Sequence, residues 1–585
     1  TTTLHHPVEL DFSYQRQPNN DDETAREELL GSGSSPYFFV IFLINFIIFL
    51  NLIVSEKEQG QRIYGKIVGA HDIPYWLAHF VINMAITFVL AWFVILIGAC
   101  CQFRLFLHHN VFALFIVFWA FSFGLTCFAY FVATLVEKTR TAITLSVSFF
   151  VVGMIFQLIS ETPLIVDAIF DNFAYTYIVV LGLFPPFFFG TAMSGFTKRY
   201  NYGFKLADLV EDIPDSSVFC PLYSILLMIA LGLVWVIFGT VILATSESEN
   251  GWLFEVLGYK ALKRLAQKYI RDDDEDEDLD EDVAQEQHET LQDGNQRPMR
   301  LYHVRKTFYN RWPYKTRDDV RAVRGVTLSV EEGTVFTLLG HNGAGKSTLI
   351  KIMTGQHVPS HGRIFMGGVD LAEDLAYVRR HVGLCPQQDV IFEDLSGREH
   401  LRFYGRLKGL QGFALEQEIE QLLQLVSLDH DGDKHVGQYS GGMKRRLSVA
   451  IACIASPKCI ILDEPTTGMD PVSRREVWKV IERIKEGRTV LLTTHYMDEA
   501  EVLSDKIAIM SKGRVQCIGS SIHLKGKFGG GYVLTLNCAP HDVEEVEDAI
   551  HKAFENARVI QKVSGKLKVG VPATDEDALL AMLKR

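Results

Sequence analysis

The stretch Leu338–Leu349, LLGHNGAGKSTL, decides the fold of the second half of this 585-residue chain. It fits the pattern G-x-x-x-x-G-K-[ST] from Gly340 to Ser347, between the apolar run Val335–Leu339 and a segment with helical spacing. A phosphate-binding loop requires this strand–loop–helix order, because glycines let backbone N–H groups turn toward an anion at the positive end of a helix. We expect Lys346 to contact the β- and γ-phosphates of a nucleotide and the Ser347 hydroxyl to bind Mg²⁺.

Bulk composition indicates at least two domains and reduced thiols. A chain of 585 residues is too long for a single hydrophobic core. Much of the net charge of −13 lies in one tract, Asp272–Asp282, so it implies no acidic surface over the whole protein. The nine cysteines lack a framework spacing, which favours cytosolic or membrane-buried thiols. The chain opens at Thr1 in polar sequence without a signal peptide, so we expect a fragment whose N-terminal targeting information is absent.

The N-terminal part contains five long apolar stretches. Residues 1–35 are polar and are expected to be the tail of an extracytoplasmic region, and residues 36–245 are predicted to form a membrane domain. Each stretch is near or above the ~18–20 residues that a helix needs to cross a bilayer. One such stretch could be a core helix of a soluble protein, but five in succession predict membrane spans. The stretches are Tyr37–Val54, Ile73–Gly98, Val111–Val136, Thr141–Ile159 and Val218–Ala244.

A sixth apolar stretch, Phe173–Met193, contains the adjacent prolines Pro185 and Pro186. Short basic loops mark the cytoplasmic side of a membrane, and both Ser55–Asp72 and Glu137–Arg140 carry basic residues. If the chain starts outside and crosses the membrane five times, both loops and the nucleotide-binding part lie in the cytosol. A sixth crossing would instead place the nucleotide-binding part outside. We therefore predict that residues 173–193 form a re-entrant hairpin, broken at the proline pair and lined by protein or water.

The loop Ser55–Asp72 has apolar residues at helical spacing on one side and charges on the other. An amphipathic cytosolic helix of this kind can lie on the membrane or dock on a partner domain. We favour docking on the nucleotide-binding domain, because force must pass between the two halves. Intramembrane amides could line a path, but we expect them to hold helices together. These amides are Asn45, Asn51, Asn83 and Gln157.

The segment 246–298 is predicted to be a cytosolic linker. Its first part, Gly251–Ile270, is a basic helix candidate that leaves the membrane. The following part, Arg271–Arg297, is acidic, rich in glutamine and nearly free of large apolar residues, so we expect a disordered tether. A metal-binding acidic cluster is the alternative, but the tract lacks the glycine and the spacing of a calcium loop.

From Leu301 onward, short β-branched strands alternate with amphipathic helices, which indicates a parallel-sheet α/β domain over residues 299–528. Polar residues that could serve nucleotide hydrolysis follow its strands. Gln387 can reach Mg²⁺ and the attacking water, Asp463 can bind within the coordination shell of Mg²⁺, and Glu464 can polarise the water.

Two further motifs complete the set. Ser440 and the two glycines after it open a helix and form a second anion site. His495 follows a strand and can hydrogen-bond the γ-phosphate; taken alone, it is better explained as a capping or surface histidine. In this order and spacing, the whole set is highly specific for a nucleotide-hydrolysing site.

Together these motifs resemble the ATPase of ABC transporters, and the finer matches resemble the A subfamily. The triplet EKE at Glu56–Glu58, the segment KGKFGGGY at Lys525–Tyr532 and the order of membrane domain before ATPase agree with this resemblance. It implies a polytopic α-helical membrane domain of the ABC-2 or type II exporter kind, an α/β P-loop ABC ATPase and a small α+β regulatory domain at 529–585, whole or cut short. The finer matches are LGHNGAGKST at Leu339–Thr348, YSGGMKRRLSVAIA at Tyr439–Ala452, LDEPTTGMDP at Leu462–Pro471 and THYMDEAEVLSDKIAIMSKG at Thr494–Gly513.

The resemblance also implies roles for individual residues. Glu464 would be the catalytic base, Gln387 the coupling glutamine and His495 the switch histidine. Phe308 would stack on adenine where the family usually has Tyr, with Tyr309 as the fallback. The signature reads YSGGM in place of the commoner LSGGQ. ATP would be bound by Asn342, Gly343, Ala344, Gly345, Lys346, Ser347, Thr348, Gly441 and Asp470, and Mg²⁺ by Ser347, Gln387 and Asp463. Ser440 and Gly442 would contact the nucleotide that is bound on the opposite ATPase.

The predicted function is an ATPase that drives export or flipping of lipids across a membrane. The resemblance implies a first span and most of an external domain upstream of Thr1, and a second half-transporter in the same natural chain or in a dimer partner. The expected protein is a multi-pass membrane protein with its ATPase in the cytosol and no nucleic-acid partner. The alternatives are an ABC-2-type exporter of small amphipathic compounds and a non-transporting ABC protein that regulates a membrane complex.

Overall fold

A computed structural model describes residues 35–161, 184–198, 221–247, 280–292, 297–308, 320–528, 532–539, 542–554, 557–563 and 566–571. The chain divides into two compact units, one of residues 1–62 and 71–259 and the other of residues 63–70 and 260–585. The predicted tail before Ser35 and the basic helix candidate at 251–270 lie outside the described residues, as does Tyr309.

The described part of the first unit is helical. Among the described residues, five helices are long and apolar enough to cross a membrane, the number predicted from the sequence. They are α1 (Ser35–Glu58), α3 (Asp72–Cys100), α5 (Val111–Leu135), α6 (Thr139–Glu161) and α8 (Pro221–Glu247), and the shorter helices of this unit are α4 (Arg104–His108) and α7 (Pro185–Lys198). The loop helix α2 (Gln61–Val68) starts in the first unit, and its residues from Ile63 onward belong to the second.

Aromatic rings and small residues pack these helices together. The Phe121 ring of α5 stacks on Phe189 of α7 with 4.1 Å between centroids. A Cβ atom at Gly153 of α6 would lie 2.3 Å from the ring of Phe39 in α1, so only glycine allows this approach. Close packing of this kind stabilises helices in lipid, where the hydrophobic effect does not favour one apolar surface over another.

The intramembrane amides join helices, as predicted, for three of the four residues. Asn45 of α1 donates to Asn83 of α3 at 3.2 Å, and Asn83 donates to the Thr126 hydroxyl of α5 at 2.8 Å. Gln157 of α6 donates to the Pro186 carbonyl at the start of α7. Asn51 instead donates to a carbonyl of its own helix.

The proline pair starts α7 rather than interrupting a helix. Pro185 and Pro186 occupy its first turn, where a missing N–H costs no helical hydrogen bond. Most of the stretch before them lies outside the described residues, so the re-entrant path of residues 173–193 stays a prediction.

The second unit contains the α/β domain predicted from the sequence. Its strands are β1 (Met299–Phe308), β2 (Val320–Val330), β3 (Val335–Leu339), β4 (His361–Met366), β5 (Val369–Asp370), β6 (Val382–Cys385), β7 (Cys459–Asp463), β8 (Thr489–Thr494), β9 (Lys506–Ser511) and β10 (Arg514–Gly519). Its helices are α9 (Glu281–Gln292), α10 (Lys346–Met353), α11 (Leu375–His381), α12 (Gly397–Leu407), α13 (Gly412–Leu425), α14 (Gly441–Cys453), α15 (Pro471–Ile484), α16 (Met497–Leu503) and α17 (Ser521–Phe528).

Two sheets organise this domain. The six-stranded sheet has the order β10-β9-β3-β8-β7-β6, in which only β10 runs antiparallel to its neighbour. The second sheet is antiparallel, with the order β2-β1-β4-β5. Strands β3 and β8 are buried along their whole length, as expected for parallel strands covered by helices on both faces.

The prediction of a disordered tether over residues 271–297 is wrong for its last part, because residues 281–292 form α9. Glu286 is 3% exposed, and its carboxylate accepts hydrogen bonds from the N–H and the hydroxyl of Ser329 at 3.2 and 3.0 Å. It also pairs with Lys506, and Val283 is buried beside it. Polar contacts therefore attach this helix to the domain. Such contacts cannot be predicted from the number of apolar residues in the segment.

The amphipathic loop helix docks within the second unit, as predicted. Tyr64, Ile67 and Val68 of α2 are buried and belong to the hydrophobic core of the α/β domain. The Tyr64 ring lies edge-on against Tyr404, with 5.4 Å between centroids. Its hydroxyl donates to the carbonyl oxygen of Leu384 at 2.9 Å.

The C-terminal residues form a small sheet with one helix. Strands β11 (Tyr532–Asn537), β12 (Arg558–Val563) and β13 (Lys566–Val571) are antiparallel in the order β11-β13-β12, and α18 (Val543–Ala553) lies between the first two in sequence. Ile550 of α18 packs in one cluster with the apolar residues of β13. Residues 572–585 of the predicted regulatory domain lie outside the described residues, and a regulatory role stays a prediction.

Candidate functional site

Four functional segments follow four adjacent parallel strands. Leu339 at the end of β3 pairs with Thr494 of β8, and Asp463 at the end of β7 pairs with Thr493 of β8. Cys385 at the end of β6 pairs with Leu462. The phosphate loop, the Asp463-Glu464 pair, His495 and Gln387 therefore start from one edge of the sheet, where ligands of open α/β sheets bind.

The phosphate loop has the backbone that its glycines predict. Gly343 and Gly345 have φ values of +84° and +107°, which favour glycine. A Cβ atom at Gly345 would lie 2.5 Å from the carbonyl oxygen of Ala322, so no other residue fits there without displacing the backbone. Nothing lies within 4 Å of the corresponding position at Gly343, which leaves open space at the loop.

Lys346 points back into this loop. Its ammonium donates to the carbonyl oxygens of Gly340 at 2.5 Å and of His341 at 3.3 Å, and it lies 3.9 Å from the Glu464 carboxylate. Burial lowers the pKa of Lys346, although Glu464 and Asp463 oppose this shift. A buried ammonium beneath an open glycine loop fits a polyphosphate ligand.

Glu464 is the centre of the cluster. Its φ is +46°, a conformation that costs a non-glycine residue free energy, and its N–H donates to the carbonyl and the hydroxyl of Thr493, both at 3.1 Å. One carboxylate oxygen accepts from Gln387 Nε2 at 3.0 Å and from the Thr467 hydroxyl at 3.1 Å. His495 Nδ1 lies 3.3 Å from the same oxygen. The structure thus brings together all three residues predicted to be catalytic.

Asp463 lies at the same edge of the six-stranded sheet. The Thr493 hydroxyl donates to its carboxylate at 2.6 Å, and burial, with the nearby Glu464, raises its pKa. No three His, Cys, Asp or Glu side chains converge on a metal position among the described residues. The half-buried Asp463 and the exposed Ser347 instead fit an Mg²⁺ ion that takes its remaining ligands from substrate phosphates.

Arg445 is a site residue that the sequence argument missed. It is 5% exposed, and its guanidinium donates to the carbonyl oxygens of Pro386 at 2.6 Å, Pro465 at 2.6 Å, Asp463 at 3.0 Å and Glu464 at 3.1 Å. It also pairs with the Asp389 carboxylate at 2.9 Å. One side chain of α14 therefore holds the backbone on both sides of the cluster around Glu464. The sequence did contain a signal for this role, because Arg445 is a charged residue on the buried face of an amphipathic helix.

The signature motif does not touch the phosphate loop in the described part of the chain. Ser440 caps α14, accepting from the N–H of Met443 at 3.3 Å, and both Ser440 and Gly441 are exposed. A Cβ atom at Gly442 would lie 3.0 Å from the hydroxyl of Ser473.

Asp470 likewise caps a helix of its own domain. Its carboxylate caps α15 by accepting from the N–H groups of Val472 at 3.1 Å and Ser473 at 3.0 Å. Hydrogen bonds from the Ser473 backbone and side chain lower its pKa. This aspartate shapes the turn after β7, and its contact with a nucleotide stays a prediction.

Phe308 lies at the end of β1 and is 36% exposed. The ammonium of Lys306 lies 5.2 Å from the centre of its ring, and His357 packs against the ring edge. Its position leaves part of the ring accessible for the predicted stacking on a base. The remaining predicted residues follow the loop: Asn342 is exposed, Ala344 is buried and Thr348 is half-buried.

Comparisons with known proteins match both halves of the chain. A family model described as ABC transporter matches residues 323–467, and one described as ABC-2 family transporter protein matches residues 10–241. The chain is 33% identical to ABC transporter A family member 12 of Arabidopsis thaliana, over 94% of this chain and 60% of that protein. It is 31% identical to ABC transporter A family member 1 of Dictyostelium discoideum, over 93% of this chain and 64% of that protein.

A solved structure of the ATP binding subunit of an ABC transporter is 29% identical, with a TM-score of 0.35, and the match covers 40% of this chain and 93% of that one. The present chain spans about three fifths of the length of the curated relatives described above.

Proposed function

Because this chain belongs to the A family of ABC transporters, we propose that it hydrolyses ATP to move lipids or lipid-like molecules across or out of a membrane. The observation that carries the hydrolytic part is the convergence of Lys346, Gln387 and His495 on the carboxylate of Glu464. The family membership carries the transport part, since both an ABC-2 membrane region and an ABC ATPase are present.

Nucleotide binding falls to the phosphate loop. The N–H groups of residues 342–348 and the ammonium of Lys346 would neutralise the charge of the β- and γ-phosphates, and Phe308 would stack on the base. Magnesium, when bound with the nucleotide, supplies positive charge at the phosphates, and Ser347, Gln387 and Asp463 would hold it.

Hydrolysis falls to Glu464. Its carboxylate would orient a water molecule in line with the terminal phosphate and accept a proton from it. The Gln387 amide and the Thr467 hydroxyl restrict the rotamer of this carboxylate through their hydrogen bonds at 3.0 and 3.1 Å. His495 Nδ1, 3.3 Å from the same oxygen, would donate to the γ-phosphate as the nucleotide enters.

A second ATPase domain is the proposed partner. Ser440 and Gly441 are exposed at the start of the 13-residue helix α14, whose first N–H groups can bind an anion. Their exposure supports a contact with the nucleotide of another ATPase. The second half of the transporter would supply this ATPase, either from the same full-length protein or from another chain.

Movement would pass through Tyr64. Its hydroxyl binds the carbonyl oxygen of Leu384, and Gln387 lies three residues further along the chain. A shift of Gln387 upon nucleotide binding would therefore reach α2 through one short backbone segment.

The membrane part supports an apolar substrate. Its described residues form a partly open pocket of about 310 Å³ that is lined almost entirely by apolar side chains, with Ser146 and Ser148 as the exceptions. A pocket of this size and lining can accept an alkyl chain. The lining includes Phe46, Leu50, Phe128, Val132, Phe149 and Val152.

Reconstitution of the full-length protein into liposomes that contain labelled lipids tests this proposal. We expect lipid movement that requires ATP and Mg²⁺ and that Glu464→Gln abolishes. ATP hydrolysis that is stimulated by a small amphipathic compound, without lipid movement, would favour the exporter alternative. Hydrolysis without movement of either substrate would favour a regulatory protein.

A further inference from the structure

Three consecutive charged residues at the end of α1 contact three different helices of the first unit. The triplet Glu56–Glu58 lies directly before the turn Gln59-Gly60 and the loop helix α2. The proposed function assigns no role to these side chains. Their contacts, taken one by one, indicate what they do.

Glu56 binds the start of α3. One oxygen of its carboxylate accepts from the Tyr75 hydroxyl at 2.7 Å and lies 3.1 Å from His79 Nε2. Tyr75 and His79 are one helical turn apart on α3, so a single oxygen fixes the orientation of that turn relative to the end of α1.

Lys57 binds the end of α5. Its ammonium donates to the carbonyl oxygens of Ala133 at 3.3 Å, Thr134 at 3.1 Å and Val136 at 3.0 Å. The last carbonyl groups of a helix have no partner inside the helix and carry partial negative charge, so a cation stabilises this end.

Glu58 binds the beginning of α6. Its carboxylate accepts from the N–H of Thr139 at 2.9 Å and from the hydroxyl of the same residue at 2.6 Å. An anion stabilises the N-terminus of a helix for the converse reason. Lys57 and Glu58 therefore match their opposite charges to the two helix ends that flank the turn from Val136 to Lys138.

The other end of the loop is anchored to the same unit. Arg62 donates to the Asp72 carboxylate at 3.0 Å, and its guanidinium lies 5.1 Å from the centre of the Trp76 ring. Trp76 in turn packs edge-on against Tyr130 of α5 at 4.6 Å. Side chains at both ends of the loop therefore contact the spans α3 and α5, directly or through Trp76.

We infer that Glu56–Glu58 is a mechanical junction that passes the movement of α2 to α3, α5 and α6 together. The inference rests on the proposed function, in which nucleotide binding moves α2. Three separate charge-assisted contacts oblige the three helices to follow the end of α1, whereas an uncharged helix end would transmit movement along α1 alone. The triplet is a positioning device and touches neither nucleotide nor substrate.

The full-length protein carries natural probes for this junction. Cys100 and Cys101 are free and exposed at the end of α3 that lies farthest from Tyr75. The rate at which a thiol reagent labels these two cysteines, followed by peptide mass spectrometry, is compared with and without ATP under conditions that block turnover. This readout requires nucleotide binding but no lipid substrate.

We expect the labelling rate in the wild type to change with ATP. In Lys57→Met this change should fall at least about tenfold, while the affinity for ATP stays within about twofold. Lys57→Arg keeps a cation beneath the same carbonyl groups and should restore the change. Glu137→Gln alters an exposed carboxylate in the adjacent turn and is the matched control.

Three outcomes would overturn the inference. One is a wild-type protein that binds ATP without any change at the two cysteines. Another is Lys57→Met behaving as the wild type. A third is a parallel loss of ATP affinity, thermal stability and labelling response in Lys57→Met, which would make the lysine a folding residue. If the labelling rate changes with ATP in a protein that moves no lipid, only the proposal of a lipid substrate would be contradicted.

Discussion

The Tyr64 hydroxyl donates a hydrogen bond to the carbonyl oxygen of Leu384 at 2.9 Å, across a separation of 320 residues in sequence. Tyr64 is 4% exposed, so this hydrogen bond is shielded from water. Leu384 precedes the Cys385-Pro386-Gln387 turn, and Gln387 in turn donates to Glu464 at 3.0 Å. A loop helix between two membrane spans is thereby connected to the Glu464 carboxylate, the proposed catalytic base, through two hydrogen bonds and one short backbone segment.

Replacement of Tyr64 by Phe should weaken coupling without affecting ATP binding. The ring keeps its contact with Tyr404, and the lost hydrogen bond should cost about 1 kcal/mol of stability. We expect basal ATP hydrolysis near the wild-type rate and a reduced stimulation by substrate, measured in liposomes. Ile63→Ala, on the exposed side of the same helix, serves as the control; an equal effect of both variants would contradict a specific role for the hydroxyl.

Glu464→Gln should abolish turnover and leave nucleotide binding intact. The amide can still accept the hydrogen bonds from Gln387 and Thr467, but it cannot accept a proton from water. We expect kcat to fall by about 10²–10⁴-fold, measured by phosphate release, with an unchanged Kd for ATP. Substantial residual hydrolysis would assign the base to another residue.

Arg445→Met should damage both stability and catalysis. It removes the donor that six acceptors share, one of them the carbonyl oxygen of Gln387 at 3.4 Å. It also leaves the Asp389 carboxylate without its cation, and we expect a cost of about 3 kcal/mol in the free energy of unfolding. We expect kcat to fall because the turns that carry Gln387 and Glu464 lose their common support. Thermal denaturation and single-turnover hydrolysis at a temperature where the variant is folded separate the two effects.

Arg446→Met is the matched control on the same helix. Arg446 donates to the carbonyl oxygens of Val426 and Ser427 at 3.0 and 3.1 Å, and none of its described contacts is with the catalytic cluster. We expect a stability loss of about 1 kcal/mol and a normal kcat. Equal kcat values for the two variants would show that Arg445 does not position the site.

Acidification should release the start of α9. Hydrogen bonds from Lys527, and next from His523, lower the pKa of Asp282 from 3.8 to about 2. Since the folded-state pKa lies below the ordinary value, the contact contributes fully above pH 4 and is lost as the pH falls toward 2. Amide hydrogen exchange of residues 281–292 measures this release.

Asp282→Asn should increase the exchange of the same amides already at neutral pH, and high salt should act in the same direction. Glu281→Gln is the control, since it changes a neighbouring carboxylate with no described hydrogen bond or ion pair. Unchanged exchange in Asp282→Asn would show that the interior anchor Glu286 holds the helix alone.

The arrangement of the candidate site around Glu464 was predictable because it is built from local signals. Each of Lys346, Gln387, Asp463, Glu464 and His495 follows a strand whose apolar run is visible in the sequence. Parallel strands in one sheet bring their carboxyl ends to the same edge, so the order of the motifs already implied their proximity. Distances and the strained backbone of Glu464 came only from the structure.

The contacts of Arg445 and the docking of α9 show where sequence reasoning stopped. Arg445 stands in a quoted motif, but its acceptors come from turns 18 to 59 residues away in the chain. Residues 281–292 have the composition of a solvated segment, and their one buried carboxylate is satisfied by Ser329 and Lys506 from distant strands. Polar satisfaction depends on the partners, and composition carries no information about them.

The sequence by itself determined the membrane helices, the α/β domain and the residue types of the nucleotide site, because apolar periodicity and glycine-rich turns act over a few residues. Only the tertiary structure decided which backbone carbonyls Tyr64 and Arg445 bind and which helix ends Lys57 and Glu58 cap. Those choices depend on groups that are distant in sequence and meet only when the helices and sheets have packed, and so no local pattern encodes them.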